Sequence, residues 1–168
     1  MNSKSRIRLL GRCITELFGP DGRLKYREAG PNLITTVGDN LFASLAFGTA
    51  GWTYRMKLGS ASTAAAKTGA GAFVAAGDYV SGSALAMDST YPKVKGSGAD
   101  AKTAVYKCTW GAGVATGTIR RVGLVDNATD AGEADASHTA AMKVFDADIP
   151  KGAGDSLVHT WEVTFLGA

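Results

Sequence analysis

Residues 156–166 read SLVHTWEVTFL. Leu157, His159, Trp161, Val163 and Phe165 fall on one parity, and Val158, Thr160, Glu162 and Thr164 on the other. A period of two, carried by β-branched and aromatic residues, is the pattern of a strand with one face in a core and one in water. Working back along the chain, the same rhythm recurs. In residues 103–110, Ala104, Tyr106, Cys108 and Trp110 share a face. Residues 118–125 and 140–149 read as two more strands, the second running through Met142, Val144 and Phe145, with Pro150-Lys151-Gly152 turning the chain. Residues 53–58 set Tyr54, Met56 and Leu58 against Arg55 and Lys57. Strands at this spacing, separated by Gly-rich turns, predict a mainly β protein: an antiparallel β-sandwich of jelly-roll or Ig-like type.

The amino-terminal part predicts a hairpin. Arg6, Arg8 and Arg12 oppose Ile7, Leu9 and Cys13, while Ile14 and Phe18 carry apolar character on the arginine parity. Leu9-Leu10-Gly11 is therefore expected to hold a bulge at which the buried face switches. Gly19-Pro20-Asp21-Gly22 is a turn signal, since proline suits the second turn position and glycine tolerates positive φ. Arg23–Glu28 then alternates, with Leu24 and Tyr26 against Arg23, Lys25 and Arg27. One helix is expected near 35–47, capped by Thr35 or Thr36, with Ile34, Val37, Leu41 and Leu45 at helical spacing and Gly48 as its stop. Gly38 weakens it slightly. Residues 59–103 are dominated by Ala, Gly, Ser and Thr, with anchors at Phe73, Tyr79, Val80, Leu85, Met87 and Tyr91, and read as loops and short edge strands.

The 168 residues predict one domain. Residues 1–28 hold seven Lys or Arg against three acids, and the rest holds eleven against twelve. A basic arm, 1–28, thus precedes a near-neutral body, 29–168. The candidate interface residues are Arg6, Arg8, Arg12, Arg23, Lys25 and Arg27, together with Trp52, which follows Gly51 in a loop. A solvated strand face is the plainer account of the basic residues. Trp110 and Trp161 lie on apolar strand faces and belong to the core. Nucleic acid is not the expected partner, because the body is neutral and the arm interleaves no aromatics apart from Phe18 and Tyr26. No leader is expected, since Met1–Arg12 is polar and basic without a following apolar run, and no stretch is apolar over a membrane-spanning length.

The sequence offers little that points to catalytic chemistry. Cys13 and Cys108 have no neighbour at metal-ligand spacing and are expected as free buried thiols. Ser137 and His138 are adjacent in sequence, which is not by itself a nucleophile–base arrangement. His159 lies on the core parity of its strand. Ala66-Lys67-Thr68 lacks the glycines of a phosphate loop. Asp126, Asp130, Glu133 and Asp135 lack the calcium-loop pattern, with Ala131 where its glycine belongs. Asp146 and Asp148 share a strand face without the cleft that a glycosidase pair needs. No catalytic residue, cofactor or metal is expected.

The order of segments resembles the small structural proteins of tailed-bacteriophage virions. The basic strand, Gly19-Pro20-Asp21-Gly22-Arg23 and a second strand come first. Asn32-Leu33-Ile34-Thr35-Thr36-Val37-Gly38-Asp39-Asn40-Leu41 then leads into a helix. A strand ends in Gly59 before a Ser/Thr/Ala run. Gly117-Thr118-Ile119-Arg120-Arg121-Val122-Gly123-Leu124-Val125-Asp126 follows, and the chain closes on Thr160-Trp161-Glu162-Val163-Thr164-Phe165. The resemblance implies a non-enzymatic head decoration or cement protein that binds the major capsid protein or other virion subunits as a homo-oligomer. Such a protein is made in the host cytoplasm and resides on the virion, with no membrane partner. The alternatives are a tail-fibre, baseplate or adaptor subunit, or a carbohydrate-binding module using loop Tyr and Trp.

Overall fold

The computed structural model describes residues 8–46, 48, 53–69, 78–126 and 136–166. It is an antiparallel β-sandwich with one α-helix. The strands in chain order are β1 (Arg8–Phe18), β2 (Leu24–Pro31), β3 (Leu33–Ile34), β4 (Tyr54–Gly59), β5 (Leu85–Ala86), β6 (Lys93–Val94), β7 (Thr103–Trp110), β8 (Gly117–Asp126), β9 (Thr139–Lys151) and β10 (Ser156–Leu166), with α1 at Thr36–Ala46. One sheet has the order β2-β1-β10-β7-β6 and the other β3-β9-β8-β4-β5.

The stretch 156–166 forms β10, the middle strand of the first sheet, paired to β1 on one side and β7 on the other. Its expected inward face holds: Leu157, His159, Trp161 and Val163 are fully buried. Trp110 joins them, its indole N–H donating to the Ser83 carbonyl at 2.7 Å. Ile119, Val122, Leu124, Phe145 and Ile149 close the core from the second sheet.

The hairpin is present, and its turn forms as expected: Gly22, at φ +75°, donates to the Gly19 carbonyl at 2.9 Å. The bulge expected at Leu9–Gly11 does not occur. β1 runs in unbroken register with β10 from Arg8↔Leu166 to Phe18↔Ser156. Leu10 stays on the outer face, 44% exposed. The inward space at Gly11 is filled by Asn32, whose Oδ1 lies 1.9 Å from where a Cβ on residue 11 would stand. The irregularity falls instead on β2, where Leu17↔Tyr26 is followed by Phe18↔Leu24, leaving Lys25 as the extra residue. Nor is the hairpin a separable arm. β1 lies between β2 and β10 and buries Cys13, Thr15 and Leu17, so the basic residues are built into the body.

The helix forms as expected, over Thr36–Ala46. Thr35 is its cap: the Gly38 N–H donates to Thr35 Oγ1 at 3.0 Å, and that hydroxyl donates to the Thr139 carbonyl at 2.6 Å. Gly38 has a packing reason, because a Cβ there would lie 2.1 Å from the Ala140 carbonyl oxygen on β9. Phe42 meets Phe165 edge-on, the ring centroids 6.1 Å apart. Near the carboxyl end, Pro150 and Lys151 continue β9 instead of turning. The Lys151 ammonium caps the neighbouring turns, donating to the carbonyls of Gly111 at 2.9 Å and Asp155 at 2.8 Å.

Candidate interaction surface

The five described basic candidates do not gather into one patch. Arg6 and Trp52 lie outside the described residues, as do Phe73, Asp130 and Glu133. Arg23, in the turn, pairs loosely with Asp21 at 3.5 Å. Arg8 and Phe18 mark opposite ends of β1, about 33 Å apart at the strand's usual rise. Arg27 faces Glu16 across the β1–β2 ladder and pairs with it at 3.1 Å. Lys25 is held at 2.8 Å by Asp155, whose side chain is 4% exposed. The Lys25 ammonium and then the Gly152 N–H hold that carboxyl below the usual carboxylate range. Lys25 is thus a structural tie between the hairpin and the 152–155 turn.

Arg8 and Arg12 differ from these. Both are exposed on the outer face of β1, flanking Leu10. Neither has an acidic partner within 4 Å among the described residues. Glu162 stands opposite Arg12 in the β1–β10 register, yet Lys95 holds it at 3.1 Å. The first sheet therefore presents a strip of two unneutralised guanidinium groups around an exposed leucine, on a backbone laddered to β10 throughout and to β2 from Arg12 onward. Elsewhere on this face the charges compensate one another, as in Arg27–Glu16 and Lys95–Glu162.

Two polar clusters lie within the fold. In the first, Glu28 on β2 meets Lys143 on β9 at 2.7 Å, each side chain 12% exposed. The Tyr26 hydroxyl donates to Glu28 Oε2, and the Asp146 N–H reaches the same oxygen at 3.2 Å. Burial alone would raise the Glu28 carboxyl, but these donors outweigh it and hold it low, while the carboxylate raises Lys143 against its own burial. Nearby, Cys13 lies under β2 and its thiol is pushed up to about 11, chiefly by burial. His159 is fully buried, its Nδ1 2.7 Å from Thr15 Oγ1, and burial first, then the Lys143 charge, press it down to about 3. The second cluster lies on the outer face of the second sheet. Lys57 is fully buried with its ammonium 4.1 Å from the Tyr79 ring centroid, and Arg121 Nη2 donates to the Asp78 carbonyl at 3.1 Å.

These clusters were not expected. Lys57 alternates with Met56 and Leu58 as a solvent-facing residue should. It is buried because the chain returns over it, with Ser60 bonded to the Asp78 carbonyl and Tyr79 bridged to Gly59. Of the chemistry candidates, both cysteines are free and buried. Ser137 Oγ lies 3.0 Å from His138 Nδ1 on the exposed surface. Asp148 is clamped by Arg120 through two bonds of 2.9 Å, while Asp146 is exposed beside Lys143. Among the described residues no group of three His, Cys, Asp or Glu could hold a metal, and no helix is long and apolar enough to cross a membrane. Compared with known proteins, the chain has no significant match among family models, curated proteins or solved structures.

Proposed function

We propose that this chain is a structural subunit of a bacteriophage virion, a head decoration or cement protein that binds the major capsid protein as a homo-oligomer. The observation that carries the reading is the Arg8–Leu10–Arg12 strip. Two exposed cations with no acidic partner among the described residues flank an exposed leucine on a rigid sheet. That combination suits an acidic surface with an apolar centre. Each contact of this kind is weak, and repetition over a lattice makes the attachment firm. The order of segments shared with small virion proteins supports the same reading. A tail-fibre or baseplate subunit is the alternative, with the turn end of the hairpin, Asp21 to Arg23, as its docking end.

The test is a charge reversal. The double variant Arg8→Glu, Arg12→Glu removes no buried contact, so its unfolding free energy in urea should stay within about 0.5 kcal/mol of the parent's. Its binding to particles that lack the protein should weaken about tenfold or more, and the parent's binding should fall with added salt. Unchanged binding by the double variant would remove the strip as the docking surface.

A further inference from the structure

Asn32 marks the corner where the chain leaves the first sheet, at Pro31, and enters the second, at Leu33. Both side-chain polar atoms of Asn32 are buried and neither has a hydrogen-bond partner. A buried carboxamide without partners is costly and calls for an explanation. Its surroundings supply one. Tyr26, Glu28, Gly30 and Asn32 follow one another at alternate positions of the hairpin's second strand and its end, so they share the inward row. The Lys143 ammonium reaches into that row from β9: it is 2.7 Å from Glu28 Oε1 and 3.8 Å from where a Cβ on Gly30 would stand. Gly30 lies between Glu28 and Asn32, so the nitrogen sits over the middle of three same-face positions. An acid flanks it on one side and an unpartnered carboxamide on the other. A Cβ at position 30 would stand in van der Waals contact with this nitrogen.

We infer that Lys143 and Asn32 are the partners of an autocatalytic isopeptide bond, with Glu28 as the proton carrier, stapling the two sheets of the sandwich together. As Lys143 swings off the ion pair, Glu28 takes a proton from its ammonium, against the resting preference of the pair for its charged forms, and the freed amine attacks Cγ of Asn32, forming the new C–N bond. Glu28 returns that proton to Nδ2 of Asn32, and the Cγ–Nδ2 bond breaks. The proton shed by the attacking nitrogen passes through Glu28 to the departing ammonia. One ammonium and one carboxamide become one secondary amide and one ammonium ion, and no oxidant or co-reactant is consumed. Glu28 is held for this task. Its Oε2 is occupied by the Tyr26 hydroxyl and the Asp146 N–H, which leaves Oε1 facing the lysine. Lys143 makes no hydrogen bond to Asn32, so its nitrogen must swing from Glu28 along the row, a movement its four flexible side-chain bonds permit. Asn32 and Lys143 also line one open cleft of about 360 Å³ with Leu33 and Val144, through which ammonia can leave. Holding amine, amide and acid in one site supplies the proximity that uncatalysed amide exchange lacks.

The experiment is mass spectrometry of the purified full-length protein. The bond lowers the mass by about 17 Da, that of the ammonia lost. Trypsin cannot cut after an acylated Lys143, so residues 122–151 should appear joined to residues 28–55 in a branched peptide. Glu28→Gln should abolish both signatures in a protein that still shows the fluorescence of buried tryptophan. Asn32→Ala, which leaves the Glu28–Lys143 pair in place, should do the same. A full-mass parent that yields residues 144–151 as a free peptide would overturn the inference. So would a loss of the same size confined to Asn32, a backbone succinimide, or a cross-link that persists in Glu28→Gln.

Discussion

His159 makes the stability of this protein depend on acid in a way that can be worked out in advance. An unfolded histidine titrates near 6.5. In the fold its pKa is about 3, chiefly because the ring is fully buried; the Lys143 charge is the smaller cause, and acylation of Lys143 removes only that part. Between those values the unfolded chain binds a proton that the folded chain refuses. Stability must therefore fall as pH falls below about 6.5, by about 1.4 kcal/mol per unit, until the folded ring itself titrates. Between pH 7.5 and pH 4.5 the loss from this one group is about 2.7 kcal/mol, a large share of a domain's usual 5–15 kcal/mol. Other groups face the same space, namely Lys143, Glu28 and Cys13, with Asp146 at its rim. The donors around Glu28 hold its carboxyl below its ordinary range, so acid reaches the Glu28–Lys143 pair only after it reaches the unfolded histidine. The assay is urea unfolding followed by the fluorescence of Trp110 and Trp161, at both pH values, for the parent and for His159→Asn. The asparagine keeps a polar group beside Thr15 and cannot charge. It will be less stable at both pH values, but the parent should lose about 2.7 kcal/mol more than the variant on acidification. Equal losses in the two proteins would refute the assignment of a buried neutral imidazole.

Gly38→Ala should destabilise the protein by about 1–3 kcal/mol, although alanine is the better helix former, because the new Cβ meets the Ala140 carbonyl; thermal unfolding checks it, and a raised midpoint would contradict the packing. Trp110→Phe should cost about 1–3 kcal/mol in urea unfolding by stranding the Ser83 carbonyl. Deleting residues 1–28 should remove cooperative unfolding altogether, since it takes out β1 and most of β2; a deleted chain with a sharp transition would restore the hairpin to the status of an arm.

The sandwich was legible wherever one face of an element meets the core and the other meets water. Residues 156–166 and 103–110 met that condition, and their inward residues are the ones that alternation names. The helix was legible from Thr35 and Gly48, whose local chemistry acts without tertiary help. Alternation failed where burial comes from a second layer. Lys57 and Arg121 are covered by Tyr79 and Asp78, which lie in a segment that carries no periodic signal. It failed at Leu9–Gly11 for a related reason: Gly11 is inside because Asn32 occupies the space, a fact set by the corner after β2. The basic residues of the hairpin were visible as a group, but their partners were not. Asp155 reaches Lys25 from the far end of the chain, and only Arg8 and Arg12 are left with no acidic partner among the described residues. The Glu28–Lys143–Asn32 group likewise joins three segments whose only local signals are alternation and a turn.

The proposed role is tested most directly by looking for this chain in intact bacteriophage particles by imaging and counting its copies. The account predicts hundreds of copies on the head, each laying the face that bears Arg8, Leu10 and Arg12 against the major capsid protein. A handful of copies confined to the tail, or a particle without the protein, would contradict it.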